Sequence, residues 1–283
     1  MELVHTIAEV RARHDAARAA GRTVGLVPTM GFLHDGHRSL MEAAGRDCGF
    51  VTTTIFVNPL QFGPNEDLDA YPRDLEGDLK LAEAAGVDLV FAPTVAEMYP
   101  HGAVATSVRV NGLADQLEGS SRPGHFDGVA TVVAKLFAIA GPCRAYFGEK
   151  DYQQLQIVTR MAADLSMPVT VVGCPTVREP HGLARSSRNA YLDEAERQAA
   201  GVLKRALDAG VAAIEAGERA TDRVEARMAD VVAGEPRATL DYAKVVDATT
   251  LEHGAGLDGP VRLLIAARVG AARLIDNVGA VAG

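Results

Sequence analysis

Apolar residues alternate between two spacings along the first 175 positions. Short apolar, largely β-branched runs lie at 23–27, 50–57, 89–91, 144–147 and 169–172. Runs of this length read as strands buried on both faces. Between them apolar residues return every three or four positions, which predicts helices over 6–20, 75–85, 127–140 and 152–165, and one leading out through Ser39-Leu40-Met41-Glu42-Ala43-Ala44. Gly21 and Gly86 supply helix stops, as does Gly141-Pro142. Strands and helices in regular alternation predict a parallel sheet with right-handed crossovers, a doubly wound, Rossmann-like α/β domain over 1–175. Positions 67–74 read as polar and turn-rich. Within the stretch 94–111 only 107–110 is expected as a short strand.

The pattern changes at 176–283. A charged loop at 178–189 precedes two Ala-rich amphipathic helices, expected over 193–216 and 221–233. Three β-like runs follow, at 240–246, 261–267 and 271–275, with a loop at 254–259. Helices followed by adjacent strands predict a smaller α+β C-terminal domain.

Charge and composition narrow the function. The formal net charge of −9 argues against a nucleic-acid-binding face, which needs a basic surface. No apolar run approaches the ~20 residues of a membrane span. The N-terminal pattern is charged and amphipathic, unlike a secretory signal. Cys48, Cys143 and Cys174 show no Cys-x-x-Cys spacing and read as structural thiols. A soluble, cytoplasmic protein is expected. Met98, Met161 and Met167 are expected in the core; His5, His14 and His253 at the surface; and Arg178 and Glu179 in surface pairs. Asp74 and Asp78, four apart on one helical face, read as a solvated acidic face, with Asp78 the one candidate for a Mg²⁺ site.

The chain is organised around Pro28-Thr29-Met30-Gly31-Phe32-Leu33-His34-Asp35-Gly36-His37. This is a strand, a loop and a helix start, and the unpaired N–H groups and dipole of a helix N-terminus attract anions. Gly36 lets a phosphate approach the backbone, and two imidazoles can donate to its oxygens as charge develops. Zinc is disfavoured, because the loop has no third His or Cys at ligand spacing. Gly148-Glu149-Lys150-Asp151 repeats the topology, with Lys150 a point charge for phosphate and Gln154 one turn further on the same face. Asn58 and Gln61 stand where a strand ends, the edge at which parallel sheets bind ligands. Arg185-Ser186-Ser187-Arg188-Asn189 joins two cations to hydroxyl and amide groups in a boundary loop of the kind that can swing over a nucleotide. Arg122 and His125 form a basic loop in reach of phosphates or of nothing but solvent.

Together these segments resemble one family. His-x-Gly-His is similar to the signature of class I adenylyl-transferring enzymes. Pro28 to His37, Phe56-Val57-Asn58-Pro59-Leu60-Gln61-Phe62, Arg122-Pro123-Gly124-His125-Phe126, Phe147-Gly148-Glu149-Lys150-Asp151-Tyr152-Gln153-Gln154-Leu155 and Ser186-Ser187-Arg188-Asn189-Ala190-Tyr191-Leu192 resemble, in order, the motifs of the pantothenate synthetase family. The resemblance covers nearly the whole chain. It implies that ATP and (R)-pantoate form pantoyl adenylate and pyrophosphate, and that β-alanine then yields pantothenate and AMP. It also implies Mg²⁺ with the ATP, a homodimer, and a C-terminal lid domain over 176–283. His34 and His37 would stabilise the phosphates, His37 as proton donor; Lys150 would bridge them; Ser186 and Arg188 would hold pyrophosphate. ATP would further meet Met30, Gly31, Phe32, Leu33, Asp35, Gly36, Gly148, Glu149, Asp151, Val177, Arg185 and Ser187. Pantoate would meet Gln61, Gln154 and Met30, and β-alanine Gln61. The sequence departs from the family pattern at His181 and Arg185, where an acidic residue and Met are usual, and at Gly77, where an acid is frequent. Two alternatives stay open: a nucleotidyltransferase acting on a phosphorylated acceptor, and a nucleotide-binding protein without turnover.

Overall fold

Each apolar run of the first half becomes a strand of one parallel sheet. In the computed structural model, which describes residues 1–64, 66, 68–102 and 104–283, the elements are β1 (Glu2–Val4), α1 (Ile7–Ala19), β2 (Val24–Thr29), α2 (Asp35–Asp47), β3 (Phe50–Ile55), α3 (Leu75–Ala84), β4 (Leu89–Phe91), α4 (Val95–Met98), α5 (Glu118–Ser121), α6 (His125–Ala140), β5 (Cys143–Gly148), α7 (Tyr152–Asp164) and β6 (Val169–Cys174). The strand order is β1-β4-β3-β2-β5-β6. The order reverses between β2 and β5, which pair directly through Gly25–Arg144 and Leu26–Ala145. A reversal of this kind opens a crevice at the carboxyl ends of the two strands. Both the His loop and Gly148-Glu149 start there.

The chain divides into two units, Met1–Glu149 with Gln153–Pro175, and Lys150–Tyr152 with Thr176–Gly283. Lys150, two residues past the end of β5 and inside a short 3-10 turn (Glu149–Asp151), thus belongs to the second unit. The second unit contains α8 (Glu194–Ala200), α9 (Val202–Glu215), α10 (Thr221–Ala233), β7 (Ala238–Asp247), β8 (Gly259–Val269) and β9 (Ala272–Ala282). Its three strands form an antiparallel sheet in the order β7-β8-β9. Leu203, Leu207, Ile214, Met228, Leu263 and Ile265 form its core. Burying a side chain of this size contributes roughly 1.5–3 kcal/mol. No helix among the described residues is long and apolar enough to cross a membrane.

The structure corrects several expectations from the sequence. The helix expected over 193–216 breaks at Gly201, where an added Cβ would lie 2.9 Å from the carbonyl oxygen of His181. Residues 107–110 form no strand; Val108 N–H instead donates to Thr131 Oγ1 at 2.9 Å. A strand at Glu2–Val4 pairs with β4, and its three residues are too few to show a period. Asp67, in the stretch read as turn-rich, lies outside the described residues. Met98 and Met161 are fully buried, whereas Met167 is only half-buried.

His14 is not at the surface but wholly buried. Its Nδ1–H donates to the carbonyl of Ala140 at 3.3 Å, and its Nε2 accepts from Thr52 Oγ1 at 2.8 Å. Burial lowers its pKa from 6.5 to about 4. Between those values the unfolded chain takes up a proton that the folded one refuses, so stability falls with pH through this window and is fully present above it. At 1.36 kcal/mol per pH unit, the loss is expected to reach ~3 kcal/mol. Urea unfolding of the natural chain and of His14→Gln, compared at pH 7 and pH 4.5, checks this. The difference between the two proteins is expected to shrink as pH falls; a constant difference would refute it.

Candidate active site

Thr29 ends β2 by turning the backbone. Its Oγ1–H donates to the carbonyl of Thr54 at 2.5 Å and its Oγ1 accepts from Gly31 N–H at 3.2 Å. Gly31 then takes φ +85°, and Phe32, although it carries a side chain, takes φ +51°. Such a conformation is strained outside glycine and needs an outside hold. Asp78 supplies it from α3: Oδ2 accepts from Phe32 N–H at 2.9 Å and Oδ1 from Leu33 N–H at 2.6 Å. Asp78 is 3 % exposed, and a Cβ on Gly31 would stand 2.9 Å from its Oδ2. This carboxylate is therefore no part of a solvated acidic face. Each of its oxygens holds one N–H of the loop. Burial raises its pKa, while the two N–H donors pull it back. Asp74 caps α3 instead, accepting from Gly77 N–H at 3.0 Å; a Cβ at Gly77 would meet Asp74 Oδ2 at 2.3 Å. The glycine thus fits the close cap.

The loop delivers the two histidines onto the first turn of α2. His34 is the N-cap, with its Nδ1 accepting from Gly36 N–H at 3.1 Å. His37 returns the bond: its Nδ1 accepts from His34 N–H at 3.3 Å. The ring centroids lie 4.0 Å apart, the planes tilted by 31°. Both Nδ1 atoms face N–H donors and so carry no proton of their own. In the neutral rings the proton is on Nε2. The helix start therefore combines anion-attracting N–H groups with two Nε2–H donors. Asp35 and Gly36 form its first turn.

A second group lies beside this loop. Gln61, 9 % exposed, sits at the end of a 3-10 turn (Pro59–Gln61), and its Nε2–H donates to Met30 Sδ at 3.1 Å. The turn lies hard against α6, where a Cβ on Gly128 would fall 2.2 Å from the carbonyl oxygen of Leu60. Arg122 and His125 hold the same turn instead of standing open to phosphate. His125 Nδ1–H donates to the carbonyl of Gln61 at 2.8 Å, and Arg122 pairs with Glu66 at 2.6 Å. Arg122 keeps the Glu66 carboxyl below its usual range. Gln154 is half-buried on α7; its neighbour Gln153 is buried and structural, donating to the carbonyls of Leu113 and Gln116 at 2.8 and 2.7 Å.

Within the second unit, Lys150 is held by its backbone. Its carbonyl accepts from Asn277 Nδ2 at 2.7 Å, Asn277 Oδ1 accepts from Arg262 Nε at 2.7 Å, and the Arg262 guanidinium lies 3.9 Å over the Tyr152 ring. The Lys150 ammonium is 3.4 Å from Asp151. The Arg185-Ser186-Ser187-Arg188 segment opens a 3-10 turn, with Ser186 Oγ accepting from Arg188 N–H at 3.3 Å. Val177 anchors its start, its carbonyl accepting from Arg185 N–H at 2.9 Å. Arg178 and Glu179 are not surface pairs. Arg178 forms a two-pronged bridge to buried Asp276 at 2.6 and 2.9 Å. Glu179 is buried with Asn189 Nδ2 at 3.1 Å, and Arg185, Arg197 and His181 stand 3.7, 3.5 and 3.7 Å away. The two unusual residues, His181 and Arg185, thus converge on one carboxylate.

Sequence reasoning missed Asp78 as the clamp of the His loop, and it missed Tyr99, Arg262 and Asn277. Only Asp78 left a signal, an acid at an otherwise apolar helical position. Among the described residues no group of three or more His, Cys, Asp or Glu side chains is arranged to hold a metal ion.

Residues 2–279 match the pantoate-beta-alanine ligase family. The chain is 54 % identical to the pantothenate synthetase of Moorella thermoacetica over 98 % of each chain. The crystal structure of pantothenate synthetase from Thermus thermophilus superposes with a TM-score of 0.92 at 50 % identity, covering 98 % of this chain and 99 % of that one. The pantoate-beta-alanine ligase of Francisella tularensis, solved with beta-gamma ATP and beta-alanine, gives a TM-score of 0.80 at 32 % identity, covering 98 % and 97 %.

Proposed function

The chain belongs to the pantoate-beta-alanine ligase family, and on that premise we propose that it joins (R)-pantoate to β-alanine with ATP. A carboxylate oxygen of pantoate attacks the α-phosphorus, and the bond to the β-phosphate oxygen breaks. Pantoyl adenylate and pyrophosphate result. The β-alanine amine then attacks the acyl carbon, AMP departs, and the amine gives up a proton. Pantothenate is the product.

The observation that carries this reading is the His34–His37 pair at the start of α2, where His34 Nδ1 accepts from Gly36 N–H and His37 Nδ1 from His34 N–H, which assigns the proton of each neutral ring to Nε2. As the α–β bond breaks, negative charge grows on the departing pyrophosphate, and fixed donors stabilise it without reorganisation. Lys150 adds a cation to the phosphates; Ser186 and Arg188 hold pyrophosphate; Arg185, Ser187 and the backbone of Val177 complete the nucleotide contacts. Gly31, Phe32, Leu33, Asp35, Gly36, Gly148, Glu149 and Asp151 supply backbone and polar contacts around them. Met30, Gln61 and Gln154 line the pantoate site, with β-alanine entering near Gln61. Among the described residues no group of three or more His, Cys, Asp or Glu side chains is arranged to hold a metal ion, and Asp78 already holds Phe32 and Leu33; Mg²⁺ would arrive on the nucleotide's own phosphates. A homodimer in the cytoplasm, and a lid role for the C-terminal unit, belong to the same proposal.

Release of AMP from ATP is the test. AMP and pantothenate are expected only when pantoate and β-alanine are both present in turnover amounts. ATP binding without AMP under any combination would overturn the ligase reading in favour of a binding protein without turnover.

A further inference from the structure

The Gln61 amide has a fixed polarity, and one of the groups that set it, Tyr99, lies outside the motif. A buried primary amide can present either its oxygen or its nitrogen to a ligand, because the two ends have nearly the same shape. Here the choice is made by Asn58, every hydrogen-bonding position of which is filled. Asn58 Nδ2 donates one hydrogen to the carbonyl of Gly128 at 3.1 Å and the other to Gln61 Oε1 at 3.1 Å. Asn58 Oδ1 accepts from Leu60 N–H at 3.3 Å and from the hydroxyl of Tyr99 at 2.8 Å. Gln61 Oε1 is thereby turned to Asn58. Gln61 Nε2 is turned to Met30 Sδ, a thioether and a weak acceptor, although the residue is nine-tenths buried. An amide nitrogen placed so is matched to a better acceptor than sulfur, a hydroxyl or carboxylate oxygen, and is mismatched to an ammonium group.

We propose that Tyr99 is a positioning residue for the hydroxy-acid substrate: its hydroxyl, through Asn58, fixes the Gln61 amide with its nitrogen toward the ligand. This rests on the pantoate role proposed for Gln61. Tyr99 stands just after α4, 41 positions from Asn58, and has no part in the motifs that mark the nucleotide site. Burial pushes its phenol up to about 12, so it stays a donor at any working pH. Its ring is fixed from two sides, by Phe56 at 6.1 Å between centroids and by the Lys135 ammonium 5.5 Å over the ring.

Phenylalanine at position 99 keeps that ring and removes only the donor. Tyr99→Phe is expected to raise the pantoate KM about 3- to 10-fold, the range for one lost neutral hydrogen bond, while the ATP KM moves less than about twofold. The decisive arm is the double variant. If Tyr99 acts through Gln61, its removal has nothing further to misplace in Gln61→Ala, and the two effects on pantoate KM fail to multiply. Multiplying effects, or equal rises in the pantoate and ATP KM, would assign Tyr99 a merely structural role and overturn the proposal. A pantoate KM that rises in Gln61→Ala but not in Tyr99→Phe would also overturn it and leave the Gln61 reading standing. A pantoate KM unchanged in Gln61→Ala would remove the Gln61 reading itself, and the Tyr99 proposal with it.

Discussion

Asparagine in place of His34 is expected to leave the melting temperature unchanged and to slow AMP formation by ~10²–10³-fold. The two effects separate because the imidazole does two jobs with two atoms. Nδ1 caps α2 by accepting from Gly36 N–H at 3.1 Å, and in the proposed reaction Nε2–H is the donor offered to phosphate. Asparagine is among the best N-cap residues, and its Oδ1 reaches the place of Nδ1. Nothing in it reaches the place of Nε2. Histidine is absent from the favoured N-cap set, so its presence at a cap is itself a sign that the position serves more than the helix. His37→Asn is expected to behave alike, keeping its bond to His34 N–H and losing the donor. Thermal melts beside single-turnover AMP release check both variants. A near-normal rate in either, with the fold intact, would remove that imidazole from the phosphate chemistry.

Such double duty explains what the sequence reveals and what it hides. The parallel sheet was legible because its strands are buried on both faces and leave short apolar or β-branched runs, as in Val24 to Val27 and Phe50 to Ile55. The His loop and the Gly148-Glu149-Lys150 turn were legible because each follows such a run and opens a helix. Gly201 was not legible as a break, since the group that crowds it, the carbonyl of His181, lies twenty positions earlier, and helical spacing continues through it. His14 follows the same logic: a lone His on an amphipathic helix reads as surface unless its partners, Thr52 and Ala140, are known. The supports of the site were the least legible. Tyr99 holds Asn58 and Asn277 holds the Lys150 backbone across 41 and 127 positions, and single hydrogen bonds at that separation leave no period or motif.

Asp78 is the sharpest case, because sequence spacing made it a candidate for Mg²⁺ and the structure makes it a clamp. Asp78→Asn is expected to destabilise the protein by about 2–3 kcal/mol and to abolish most of its activity. An amide presents one oxygen and one NH₂. Whichever way it turns, the NH₂ faces the N–H of Phe32 or Leu33, at sites now 2.9 and 2.6 Å from an acceptor. One buried backbone donor is left without its partner, and the positive φ of Phe32 loses its hold. The loop that aims His34 and His37 then relaxes, so activity falls further than stability alone would require. Magnesium distinguishes the two roles. A lost Mg²⁺ ligand would leave the ligand-free melting temperature near normal and let high Mg²⁺ restore turnover. A lost clamp lowers the melting temperature with no ligand present, and no concentration of Mg²⁺ brings the activity back. Full rescue by Mg²⁺ in Asp78→Asn would return this carboxylate to the metal.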